Sequence, residues 1–194
     1  VCPMDWYLIT DDDPEELAMD ATTQTATTQT TTDPRPALAS ALDQIGRLIE
    51  GTDLSHGARP TPCEEWDVAT LVDHLQAVVR RIAAVLDGQP FWSVPRTVES
   101  TDWVADWATG RAAADTVLAD DDILDREVTV PWGTVTGAGA IGSYIGELTT
   151  HAWDLAVATD RAGELDEALA LAALPGAMAK IPAEPRGESV KLTV

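Results

Sequence analysis

Glu147 and His151 stand four residues apart in the segment GELTTHAWDLA. In a helix this spacing puts both side chains on one face, one turn above the other. A carboxylate and an imidazole held together can bind a divalent cation. A second imidazole from another helix, His74, completes a set of two histidines and one carboxylate. Structural zinc sites usually take four protein ligands, so a three-ligand set with positions to spare is the pattern of a catalytic centre. The same spacing also suits a solvated or mutually hydrogen-bonded pair, and the helical phase bears on the choice. Over 137–158 the apolar stripe runs through Ile141, Tyr144, Ile145, Leu148, Ala152 and Leu155. At about 100° per residue, Glu147 and His151 both fall on one flank of that stripe. Over 68–86 a second stripe runs through Val68, Leu71, Val72, Leu75, Val78, Val79, Ile82 and Leu86, with His74 on the corresponding flank. Ligands at the rims of two core-facing stripes can converge at the mouth of a helical bundle.

Other residues carry weaker signals. Asp154, three positions past His151, can orient an imidazole from behind, and helix-surface solvation explains it equally well. Trp132, between Pro131 and Gly133, is large for a solvent-facing turn; it either lines a pocket mouth or packs on the bundle end. Cys63 in PTPCEEW is a nucleophile, a fourth ligand or, more commonly, a buried idle thiol. His56 belongs to a Gly- and Pro-flanked loop and reads as solvent-exposed. Asp73 points outward beside His74, and Trp66 and Trp153 read as structural.

Residues 1–33 combine an acidic stretch with the tract ATTQTATTQTTT, which has little to bury and reads as a disordered extension. The folded region, 34–194, starts with Asp33 as N-cap candidate and Pro34 in the first turn. A first helix runs to about Glu50, stopped by Gly51. A loop containing Pro60 and Pro62 follows, then a second helix capped by Asp67 and ending near Asp87-Gly88. A third helix spans about 100–119. EVTVPWGTVTG (127–137) alternates as a short hairpin, and a fourth helix covers 138–159. A weaker helix is expected over about 164–173, with irregular chain from Leu174 onward, broken by Pro175, Pro182 and Pro185. Four amphipathic helices joined by modest loops predict an all-α, antiparallel four-helix bundle with a short β excursion between helices three and four.

Composition narrows the partners. Thirty-three acidic residues against 12 basic ones leave a net charge of −21, and residues 1–33 hold eight of the acids and none of the bases. Such a surface argues against nucleic-acid and anionic-membrane partners. No apolar run approaches the ~20 residues of a membrane helix. The opening VCPMDWYLITDDDPEE lacks the basic start and apolar core of a secretory signal, so a cytoplasmic protein is expected. Seven of the aromatics are Trp, scattered and forming no stacking platform for bases. The sequence sets no oligomeric state.

The string RPTPCEEWDVATLVDHLQAVVRRI, followed about 50 residues later by VPWGTVTGAGAIGSYIGELTTHAWDLAVAT, closely resembles the actinobacterial DinB-like metal-binding proteins. It is most similar in kind to the metal-binding domain of mycothiol-dependent maleylpyruvate isomerase, over roughly residues 34–190. The TPCxEW motif, the His of DHL, the PWG turn and ExxxHxWDLAxAT occur in the family's order. The resemblance implies a DinB-type four-helix bundle holding a divalent metal, usually zinc, through His74, Glu147 and His151. It also implies a low-molecular-weight thiol, mycothiol, as cosubstrate, and a small electrophile as its target. The isomerase carries a further C-terminal domain with substrate-binding residues that this sequence does not show. The expected activity is therefore a thiol-dependent S-transfer or isomerisation; the alternative is a non-catalytic metal-binding or stress-related interaction module. Two histidines and a carboxylate are also the ligand set of non-haem iron oxygenases, a third reading.

Overall fold

Each amphipathic stripe becomes a helix whose apolar side is shielded from water. The computed structural model describes residues 33–64 and 66–180. In it the chain forms α1 (Arg35–Glu50), α2 (Val68–Leu86), α3 (Trp103–Leu118), β1 (Glu127–Val130), β2 (Gly133–Thr136), α4 (Gly137–Ala158) and α5 (Glu167–Lys180). The extension over residues 1–32 and the chain beyond 180 lie outside the described residues. The first four helices make an all-α DinB-like bundle: α2 packs on α3 and α4, and α1 packs on the same two. α5 lies across α4 and α1. Leu38, Leu42, Ile45 and Leu48 of α1, Leu71, Leu75, Ile82 and Leu86 of α2, and Ile141, Leu148 and Leu155 of α4 are buried together in one core. Each such side chain contributes about 1.5–3 kcal/mol by leaving water.

Side chains close the helix starts. Asp67 accepts from the Thr70 N–H at 2.9 Å and begins α2, and Thr136 accepts from the Gly139 N–H at 3.2 Å and begins α4. Both caps satisfy amides that have no partner within the first turn. β1 and β2 pair antiparallel from Glu127 opposite Thr136 to Val130 opposite Gly133. Gly133 closes that hairpin at φ 130°, a conformation side-chain-bearing residues rarely adopt. The hairpin feeds directly into α4, where Gly137 lies against the Ile123 carbonyl and Leu86 at the end of α2. With His74 beside Glu147 farther along, α2 and α4 run antiparallel. No helix among the described residues is long and apolar enough to cross a membrane.

Three boundaries differ from expectation. Pro34, not Asp33, occupies the cap position of α1; Asp33 sits one residue farther out, yet its Oδ1 still accepts from the Arg35 N–H at 2.9 Å. α3 begins at Trp103 because Asp102 supplies its cap by accepting from Ala105 N–H at 3.1 Å. α5 continues through Pro175 to Lys180, where irregular chain was expected. Proline costs that helix one hydrogen bond, but Leu171 and Leu174 beside it are exposed, so water can reach the freed carbonyl.

Candidate metal centre

α2 and α4 bring the three predicted ligands together. One ligand atom from each of His74, Glu147 and His151 lies within 4.8 Å of the other two. His74 Nε2 is 3.4 Å from Glu147 Oε1, and the two imidazole rings meet edge to face at 5.0 Å between centroids. The three residues are deeply enclosed, with His74 2 %, Glu147 6 % and His151 1 % exposed.

The hydrogen bonds behind the rings fix which nitrogen faces inward. His74 Nδ1 lies 2.9 Å from the Arg96 carbonyl oxygen, which can only accept. Nδ1 therefore carries the hydrogen, and in the neutral ring Nε2 is left with a bare lone pair. His151 is oriented alike: Nδ1–H donates to Asp154 Oδ2 at 3.0 Å, leaving its Nε2 bare in the neutral ring. Burial holds His74 below the usual imidazole range, against the pull of Glu147. Glu147 is held below the usual carboxylate range: burial alone would raise it, but the His74 ring, His151 and Arg81 outweigh that effect.

His74 Nε2 is buried without a hydrogen-bond partner, and it faces a carboxylate oxygen at 3.4 Å. Two electron-rich atoms so placed repel unless a cation or a proton lies between them. Burial disfavours the proton on His74, so the arrangement fits a metal ion better. Imidazoles whose outer nitrogens donate to a carbonyl and a carboxylate are also the usual form of metal-ligating histidine.

The surroundings were only partly anticipated. Asp154, expected either to orient His151 or to be solvated, is buried and holds the ring. Trp66, read from the sequence as structural, stands 4.7 Å from the His74 ring and 5.9 Å from the His151 ring. The Arg96 guanidinium lies over the Trp66 ring at 4.8 Å. Trp66 follows a proline-containing loop, and no periodicity predicts where such a loop returns. Cys63 is buried, with Sγ 3.4 Å from Asp154 Oδ2; it forms a second group with Asp154 and His151, behind the three converging ligand atoms. Trp132 is 38 % exposed in the hairpin turn, before α4 begins. Glu147 lies ten residues into that helix, about 15 Å along its axis, so the turn sits beyond the N-terminal end of α4, away from the ligand atoms. His56 is half-buried in a short 3-10 turn, outside both groups of convergent ligand atoms. Asp73, placed outward by the sequence, binds Ser100 N–H through Oδ1 at 3.1 Å, and its carbonyl accepts from Val98 N–H at 3.0 Å. These bonds lay the segment 89–102 along α2, with the Arg96 carbonyl over His74.

The chain is similar to "Uncharacterized protein Rv0738" and "Uncharacterized protein MT0763", each from a strain of Mycobacterium tuberculosis. Each is 28 % identical over 158 residues, covering 80 % of this chain and 83 % of the relative. No solved structure matches the chain. The family model described as "Mycothiol maleylpyruvate isomerase N-terminal domain" matches residues 38–156, which span more than half the sequence and include all three convergent side chains. With that match added to the helical bundle and its paired histidines and carboxylate, the chain belongs to the mycothiol maleylpyruvate isomerase N-terminal domain family.

Proposed function

We propose that His74, Glu147 and His151 hold one divalent cation, zinc by family resemblance, and that the protein uses it in thiol-dependent transfer or isomerisation of a small electrophile. Mycothiol is the thiol that the family points to. The observation that supports this reading best is the inward-facing His74 Nε2, buried and without a hydrogen-bond partner beside Glu147. When bound, such a cation supplies acidity, favouring the thiolate form of a thiol at neutral pH.

The chain's own residues have separable tasks. The Arg96 carbonyl and Asp154 keep the Nδ1 hydrogens of His74 and His151, so both Nε2 lone pairs point inward. Glu147 contributes the negative charge that offsets part of a cation's charge. Trp66 lies against both rings and keeps water away from that side. Three protein ligands leave room for an exogenous group, as catalytic sites require.

The alternative, a non-catalytic metal-binding module, draws on the depth of the site, whose three residues are at most 6 % exposed. Cobalt substitution separates the two. Mycothiol added to the cobalt-loaded chain is expected to change the visible absorption spectrum, as sulfur joins the metal's ligands. An unchanged spectrum at saturating thiol rejects the thiol-dependent reading and leaves the module.

A further inference from the structure

The hydrogen on His74 Nδ1 rests on the carbonyl of Arg96, and that carbonyl belongs to a stretch with little of its own to hold it. Between α2 and α3 the chain makes one short 3-10 turn, Phe91–Ser93, and none of residues 94–100 is buried. Pro90 and Pro95 have no N–H to give. With no apolar burial to fix it, the stretch keeps its place through hydrogen bonds to its neighbours.

Two residues of α2 supply those bonds, one on each side of Arg96. Before it, Arg81 Nη2 donates to the carbonyls of Pro95 at 2.7 Å and Val94 at 3.4 Å. The Arg81 guanidinium also lies over the Phe91 ring at 4.7 Å. After Arg96, the Asp73 carbonyl accepts from Val98 N–H at 3.0 Å, and Asp73 Oδ1 accepts from Ser100 N–H at 3.1 Å. The Ser100 hydroxyl adds a tie to α3 by donating to Asp106 Oδ2 at 2.6 Å. Arg81 is 5 % exposed. Burying a guanidinium is costly unless its donors are used, and the carbonyls of 94 and 95 take up part of that demand.

The grip matters because His74 has two acceptors to choose between. A neutral imidazole carries one hydrogen, and the partner of one nitrogen decides which nitrogen holds it. The Arg96 carbonyl lies 2.9 Å from Nδ1, and Glu147 Oε1 lies 3.4 Å from Nε2. With the carbonyl in place, Nδ1–H is satisfied and Nε2 keeps its lone pair. With the carbonyl withdrawn, the hydrogen gains more on Nε2, where Glu147 accepts it, and both atoms are lost to a cation. We infer that Asp73 and Arg81 are positioning residues for the candidate centre: by gripping 94–100 on both sides of Arg96, they exclude the tautomer in which His74 donates to Glu147. That the lone pair so preserved serves a metal rests on the proposed function, whereas the choice of tautomer does not.

Nitrogen NMR of isotope-labelled imidazoles in the metal-free, full-length chain reads that choice directly, at about pH 8, where an imidazole is normally neutral. His74 is expected to carry its hydrogen on Nδ1 in the wild type and to shift toward Nε2 in Asp73→Ala and Arg81→Gln. Asp73→Asn, whose side-chain oxygen can still accept from Ser100 N–H, is expected to keep the wild-type pattern. Competition with a chromophoric chelator is expected to show zinc held about tenfold less tightly by Asp73→Ala and Arg81→Gln, as when a ligating histidine loses its outer partner. Asp73→Asn should bind zinc as the wild type does. Should Arg81→Gln fail to fold, the two Asp73 variants decide alone. Four results overturn the proposal: Nε2–H already prevailing in the wild type, Nδ1–H retained in a folded Asp73→Ala or Arg81→Gln, Asp73→Asn behaving as Asp73→Ala, or zinc affinity unmoved by a shifted tautomer. The tautomer is read without metal, so a chain that binds no zinc defeats the proposed function while this result still stands or falls by itself.

Discussion

Asp154 governs how His151 can be used. By accepting from Nδ1 at 3.0 Å it fixes the tautomer and the ring plane together, and a buried carboxylate in this role raises the basicity of the opposite nitrogen. Asp154→Ala is accordingly expected to weaken metal affinity by about 10–100-fold while all three ligand candidates remain. Competition with a chromophoric chelator measures it, and an affinity equal to that of the wild type would show that Asp154 does not support the site. At this scale the sequence was most informative where helical phase carries the information. His74, Glu147 and His151 were legible because a 3.6-residue period places each on a definite flank. Trp66 was not, because it returns to the site from a loop with Pro60 and Pro62, whose path depends on tertiary contacts such as the bond from Arg59 Nη1–H to the Ala158 carbonyl.

At the scale of elements, the site depends on the register between α2 and α4, and Gly137 helps to set it. The backbone there lies so close to the Ile123 carbonyl that a Cβ would run into that oxygen, with Leu86 Cδ2 also within 3.6 Å. A backbone oxygen cannot swing aside as a side chain can. Gly137→Ala is therefore expected to cost about 1–3 kcal/mol through overpacking, outweighing the better helix propensity of alanine. Thermal unfolding followed by circular dichroism reads this as a Tm lowered by several degrees. A raised Tm would mean that propensity wins and that α4 can shift without penalty. Element existence followed from stripes and caps: Asp67 and Thr136 start helices through side-chain bonds that local sequence already suggests. Ends were harder. α5 passes through Pro175 because its neighbouring face is exposed, a condition set by where the helix docks and not by its residues alone.

For the molecule as a whole, the core and the candidate centre make separate demands. The bundle is held by aliphatic side chains of α1, α2 and α4 that offer no ligand atoms, whereas His74, Glu147 and His151 bury polar groups whose lone pairs call for a cation. The fold should thus survive loss of the ion. Binding to the folded state alone still adds stability, in proportion to the logarithm of metal concentration over Kd. The direct test is metal analysis of the purified chain after reconstitution and desalting, beside His151→Ala treated identically. About one divalent ion per wild-type chain is expected and close to none in His151→Ala, with far-UV circular dichroism still helical in both. A wild-type chain that retains no ion, or a His151→Ala chain that retains as much as the wild type, would contradict that expectation.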